Sequence, residues 1–301
     1  MAEARPAISV VLPVYDGERY VAEAVESILV QTFRDFELLI VDDGSKDGSL
    51  EILRDYAGRD PRVRLTSRPN AGLVPTLNEM LARARGEFIA RMDADDVALP
   101  ERFARELSYL RSHPECLAVG SAVEWIDPEG ELLKRHVPPL GHDEIDAAHL
   151  RSREAEICHP SVLVRASAFE RVGLYDAALD GAEDLDLWLR MAEVGKLANL
   201  AEPLLRYRFH FAKVGFVAKR RQVEAARQAV LRACERRKLE LELPEPEVEL
   251  PDVTRQLETW AWWALSSGNR PTARKYAWRV LRRQPHLPGA WRLAYCAIRG
   301  Y

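Results

Sequence analysis

The sequence has little that would carry it through a membrane, into an oxidising compartment or onto nucleic acid. No window of its 301 residues approaches the roughly 18 uninterrupted apolar positions that mark a membrane-spanning helix. The opening MAEARPAISVVLPVY has too short an apolar stretch, with the wrong flanks, for a signal peptide. Cysteine is scarce: Cys116, Cys158, Cys234 and Cys296 stand far apart and form no C-x-x-C pair. That spacing suits a reduced cytosol and gives neither a disulfide framework nor a zinc site. An excess of one charge is missing too, since a net charge of −4 argues against wholesale nucleic-acid binding. These absences predict a soluble, cytoplasmic chain of one large domain, or one domain with an appendage.

What is present is a change of period. AISVVLP (7–13) and FELLIV (36–41) are β-branched, apolar runs of the kind buried on both faces of a sheet. Between and after them, 18–33, SLEILRDYAG, 72–84 and 99–113 read as helices, with Ser45 or Asp47 placed to cap the second. RVRLTS and EFIARM supply two more strands. Strand–helix alternation with short loops predicts parallel βαβ units in a doubly wound α/β sheet over 1–113. A mixed half follows over 114–213, with strands in CLAVGSAVEWID, LLKRHV, PSVLVR and LLRYRFH and helices at 143–151, 166–171 and 184–194. The remainder divides into a basic helix (214–238), an acidic, proline-bearing linker (239–252) and a helical extension (253–301). The extension holds five of the seven tryptophans and nine Arg/Lys against one acid, Glu258. Part of it resembles a tetratricopeptide-type hairpin.

PVYDG, DDGSKDG and DADD all follow the carboxyl ends of predicted strands, the edge where open α/β sheets bind ligands. Asp93 and Asp95 in DADD are hard-oxygen ligands of the kind that hold Mg²⁺ or Mn²⁺ against a diphosphate. Equally, they fit a solvated acidic turn before a helix. Asp42 and Asp43 can accept from a nucleobase or ribose, or can cap a helix. Tyr15, behind Pro13, can stack on a base or simply fill space, and Asn70 opens a glycine turn into a helix. Glu183 and Asp184 begin a helix beside Trp188 and Arg190, which suits either a general base or an ordinary acidic first turn.

In sequence order these motifs resemble glycosyltransferase family 2 across roughly residues 7–210, with one departure: Asp16 stands where the family commonly has asparagine. The resemblance implies a GT-A fold, with a nucleotide-binding half and an acceptor half, and inverting transfer from a UDP- or dTDP-linked sugar. By that resemblance Pro13, Tyr15, Asp42, Asp43, Asn70 and Asp93 serve the donor, and Asp93 and Asp95 hold the divalent cation. Asp184 is the base, and Glu183, Trp188, Arg190 and His159 lie on the acceptor side. It also implies a hydroxyl acceptor on a glycan or lipid-linked glycan, in surface polysaccharide synthesis. The Trp/Arg-rich C-terminus suits a peripheral contact with the inner face of the plasma membrane or with a protein. Two other readings compete. Asp93-Ala94-Asp95-Asp96-Val97 spells the D-x-D-x-[TV] nucleophile of haloacid dehalogenase-type phosphatases, and a catalytically silent nucleotide-sugar binder would keep the same loops.

Overall fold

The computed structural model describes residues 5–152, 155–211, 219–241 and 252–300. Strands β1 (Ile8–Val14) and β2 (Phe36–Asp42) are buried at almost every position, as their unbroken apolar runs require. Strands β3 (Val63–Ser67) and β4 (Phe88–Arg91) run parallel to them in the order β3-β2-β1-β4. Alternate side chains divide between two faces. Ile8, Val10 and Leu12 join one core cluster and Val11 another, on the opposite side of the sheet. Helices α1 (Val21–Leu29), α2 (Ser49–Arg59) and α4 (Arg102–Ser112) contribute to the first cluster, and α3 (Leu73–Arg83) to the second.

The sheet then turns mixed. The two-residue β5 (Val97–Ala98) pairs antiparallel with β9 (Lys196–Arg208). β6 (Cys116–Ile126) joins β7 (Leu132–His136) and β8 (Leu163–Arg165) antiparallel, and β9 parallel. β8 closes the gap to β4, giving one nine-stranded sheet. Helices α5 (His142–Ser152), α6 (Ala166–Val172) and α7 (Glu183–Ala192) cover this half.

The sequence expectations hold in outline and shift in detail. Helix α1 is shorter than 18–33, and α4 starts after β5 rather than at Leu99. Asp47 serves the start of α2 by accepting from the Ser49 backbone at 3.0 Å, although Gly48 occupies the cap position. PSVLVR is only half strand, because His159–Ser161 forms a 3₁₀ turn around Pro160. LLRYRFH is the end of a strand that begins at Lys196, and the Ala-Glu-Pro interruption at 201–203 is where its register with β6 slips.

The basic segment forms α8 (Lys219–Arg237) and lays Ala225, Ala229 and Ala233 against Leu185 and Leu189 of α7. Its arginines pair with Asp180, Asp176, Glu193 and Asp146. Most of the 239–252 linker lies outside the described residues. Helices α9 (Val253–Ser266), α10 (Arg270–Arg283) and α11 (Pro288–Arg299) bury their own core around Trp260 and Tyr276 and close it on Leu133 of β7. No helix among the described residues is long and apolar enough to cross a membrane.

Candidate active site

Chain order places the site. β1, β2 and β3 step outward, and the chain then crosses back to lay β4 on the other side of β1. The crevice at the carboxyl ends of β1 and β4 is therefore a topological switch point. The loop after β1 begins at Tyr15 and the loop after β4 at Met92, which donates to the carbonyl of Val11 at 3.1 Å. A Cβ on Gly17 would lie 3.5 Å from that of Ala94, so the two loops touch.

Asp93, Asp95 and Asp96 sit in the second loop, and their carboxylate oxygens come within 4.8 Å of one another. A turn through Ala94 and Asp95 makes this cluster, the strand having ended at Arg91. Three carboxylates this close need cations or hydrogen-bond partners, and the protein supplies some of both. Arg91, buried, pairs with Asp93 at 2.6 Å. His210 Nε2 lies 2.8 Å from Asp95 Oδ2. Asp96 is fully buried and accepts from the Arg208 backbone at 2.8 Å, while Arg208 Nε donates to the Asp95 carbonyl at 2.8 Å. Convergent hard oxygens in a half-open turn match the donor set of a divalent cation, so the residues fit one.

Arg91 also faces the other acidic pair. Glu183 and Asp184 occupy the first turn of α7, where the helix N-terminus favours negative charge. Burial raises both carboxyls above their usual range. Asp184's charge raises Glu183 further, and Asp93's charge is felt at Asp184, while Arg91 opposes both rises. Asp184 Oδ1 accepts from the Leu185 backbone at 2.8 Å, and Glu183 Oε2 from the Gly181 backbone at 2.8 Å. His159 is buried, 2.8 Å from the Tyr175 hydroxyl and 3.9 Å from Glu183 Oε1. Burial, aided by Arg91, holds it well below the ordinary imidazole range, so it is neutral.

The remaining sequence-selected residues fall in different places. Tyr15 is exposed and Pro13 half-buried, flanking the crevice. Asp42 is buried and accepts from the Ser67 hydroxyl at 2.8 Å and the Ser45 backbone at 3.2 Å. Asp43 accepts from the Ala71 and Gly72 backbones at 2.9 and 3.0 Å, fixing the start of α3, and pairs with Arg68. Asn70 is exposed, with its backbone nitrogen against Gly44. There φ is +78° and a Cβ would come to 2.7 Å, so the glycine of DDGS is required both by conformation and by space. Asp16 has φ +48° and accepts from the Lys46 backbone at 2.7 Å. Asparagine and aspartate both tolerate that left-handed region, which accounts for their exchange at this position. Trp188 is wholly enclosed in the second core cluster. Arg190 pairs with Asp186 at 2.8 Å and donates to the carbonyls of Val172 and Leu174, so both residues brace α7.

Arg91, Arg208, His210 and Tyr175 were not selected from the sequence. Arg91 offered a signal, as a lone cation inside an apolar strand. The others gain their place only when the end of β9 meets the loop after β4 and Tyr175 meets the 3₁₀ turn.

A half-parallel, half-mixed α/β sheet with an acidic cluster at its switch point is the GT-A fold of glycosyltransferases. The glycosyl transferase family 2 profile matches residues 9–173, and the chain belongs to that family. It is 35% identical over 208 residues to the glycosyltransferase EpsE of Bacillus subtilis, covering 67% of this chain and 73% of that protein. It is 33% identical over 204 residues to the amylovoran biosynthesis glycosyltransferase AmsE of Erwinia amylovora, covering 66% of this chain and 75% of that one. Among solved structures, S. aureus TarS 1–349 with UDP-GlcNAc aligns with TM-score 0.61 at 16% identity, covering 97% of this chain and 87% of that fragment. The mannosyltransferase PcManGT of Pyrobaculum calidifontis with GDP-Man and Mn²⁺ aligns with TM-score 0.58 at 21% identity, covering 99% and 81%. Family membership displaces the phosphatase reading of Asp93-Ala94-Asp95-Asp96-Val97.

Proposed function

We propose that this glycosyltransferase moves a hexosyl group from a UDP- or dTDP-linked sugar to a hydroxyl of a glycan or lipid-linked glycan, with inversion, in surface polysaccharide synthesis. The observation that carries the reading is Arg91. It stands between the acids at the end of β4 and the Glu183–Asp184 pair, so donor and acceptor chemistry share one field.

Asp93 and Asp95 would hold a divalent cation, Mn²⁺ or Mg²⁺, with Asp96 keeping the turn closed from beneath. Bound there, the cation would offset charge building on the leaving diphosphate. Tyr15 and Pro13 form the exposed wall on which a base can stack. Asp43 and Asp42 shape the floor of that pocket, and Asn70 closes its rim. Asp184, with its basicity raised by burial, accepts the proton of the attacking hydroxyl. Glu183 and neutral His159 line the approach to it, and Trp188 and Arg190 hold α7 in place.

The relatives support the substrate class. TarS is seen with UDP-GlcNAc, PcManGT with GDP-Man and Mn²⁺, and AmsE carries an amylovoran biosynthesis assignment.

A panel of nucleotide sugars assayed for metal-dependent hydrolysis, combined with thermal shift by UDP plus Mn²⁺, tests the reading. The Asp184→Asn variant should lose roughly 10²–10⁴-fold in transfer, the usual worth of a general base, while donor binding stays. Near-normal transfer by that variant would sink the assignment. A chain that binds the nucleotide sugar but turns over none of the panel would instead be a silent binder.

A further inference from the structure

The strongest feature the site leaves unused is the outer face of α10 and α11, beyond the residues matched by the family profile. From Thr259 to the C-terminus there is no Asp or Glu, while α10 and α11 carry seven arginines and one lysine. One side of α10 is spoken for: Tyr276 and Lys275 both hold Asp127 in the turn after β6. Residues two apart on a helix point about 200° from each other, so Trp278 faces away from Tyr276. It stands in an exposed stripe with Arg270, Arg274 and Arg282, spaced four apart. Arg274 donates to the carbonyls of Ala297 and Ile298 at 3.2 and 3.0 Å, which sets the end of α11 beside the stripe.

α11 adds its own exposed side chains. Trp278, Trp291, Tyr295 and Ile298 are 54, 58, 53 and 63% exposed, large values for side chains of this size. Their polar needs are met elsewhere or by arginine. Trp291 Nε1 donates to the Pro285 carbonyl at 2.8 Å. The Arg282 guanidinium lies 5.4 Å from the Trp278 ring, and that of Arg299 lies 5.7 Å from the Tyr295 ring.

We infer that this face docks on an anionic lipid bilayer. Indole, phenol and isoleucine side chains enter the interfacial layer while the surrounding arginines stay with phosphate headgroups. An acidic glycan would engage the arginines but leave Ile298 in water. The contact is peripheral, since no described helix can span, and it is independent of which sugar the site transfers.

The 301-residue chain is sedimented with phosphatidylcholine vesicles, with and without phosphatidylglycerol. The same is done for a Trp278→Ser, Ile298→Ser double variant and for an Arg282→Glu, Arg292→Glu variant. All four positions are exposed, so thermal midpoint and donor hydrolysis should be unchanged. The expected result is binding to the anionic vesicles only, weakened about tenfold or more by either variant and by raised salt. Absence of vesicle binding overturns the inference, as does equal binding by the variants. So would retention on an acidic polysaccharide without vesicle binding, or a concentration-dependent dimer that the variants abolish.

Discussion

Asp184 differs from an ordinary surface aspartate in two respects: it is desolvated at a helix start, and it shares that position with Glu183. Desolvation penalises the charged form at both, Asp93's charge adds to the penalty at Asp184, and Asp184's charge adds to it at Glu183. A base must be unprotonated to work, so transfer should fall on the acid side of a limb lying above the usual aspartate value of about 3.9. Glu183→Gln removes a like charge, and the limb should move to lower pH. A profile of kcat/KM over about pH 4–8 checks this, and a limb that stays put would show that Asp184 does not titrate with Glu183. The carboxylates were legible because their type and order are visible in the chain: Asp93 and Asp95 after an apolar run, Asp184 at a helix start. The groups that pair with them were not. His210 is 115 residues from Asp95, and no local pattern says that an arginine in β4 will face α7.

Among the elements, β9 and α10 have a consequence that no single residue shows. Arg208 ends β9 with its guanidinium buried. It reaches Glu23 of α1 at 2.6 Å, the Asp95 carbonyl at 2.8 Å, and the carbonyls of Asp127 and Pro128 at 3.4 and 3.3 Å. Asp127, itself fully buried, accepts from Tyr276 at 2.8 Å and pairs with Lys275. The helical extension thus holds the turn that holds Arg208, and Arg208 holds the acidic loop. Tyr276→Phe leaves one buried carboxylate oxygen with a partner fewer, at a cost of about 1–3 kcal/mol. Apparent Mn²⁺ affinity, followed by thermal shift in the presence of UDP, should weaken with it. Arg208→Lys should weaken it more, because an ammonium cannot reach all four acceptors that the guanidinium spans. Unchanged metal affinity in both would reduce the extension to an appendage. The sequence predicted three C-terminal segments and a packed hairpin, but could not show the docking, since Leu133 and Asp127 lie more than 100 residues upstream of Tyr276. β9 was half-read for a related reason: Ala201-Glu202-Pro203 breaks the alternation that marks a strand, and only its pairing with β6 carries it through.

Across the whole molecule, the most consequential burial away from the acids is that of His149 on α5. It is fully buried, and neither ring nitrogen has a hydrogen-bond partner among the described residues. Arg237 of α8 adds to the effect while clamping α5 through Asp146 and α7 through the Leu189 carbonyl. Burial first, and that guanidinium second, depress His149 to about 3. The unfolded chain therefore takes up a proton near pH 6.5 that the folded chain refuses until about pH 3. Stability is full above the unfolded value and is lost as pH falls below it. The slope per histidine is up to about 1.4 kcal/mol per pH unit. His159, depressed in the same direction, adds to the same window. His149→Leu fills the site with an apolar side chain of similar size and removes the proton difference. Denaturant midpoints measured from about pH 7 down to 5 should fall steeply for the natural chain and less steeply for the variant, with the two curves diverging as acid is added. Parallel curves would mean that His149 is protonated in the folded state. The α5–α7–α8 contact would then have to open to water under mild acid, and the helix carrying Asp184 would loosen in the same range where its carboxyl gains a proton.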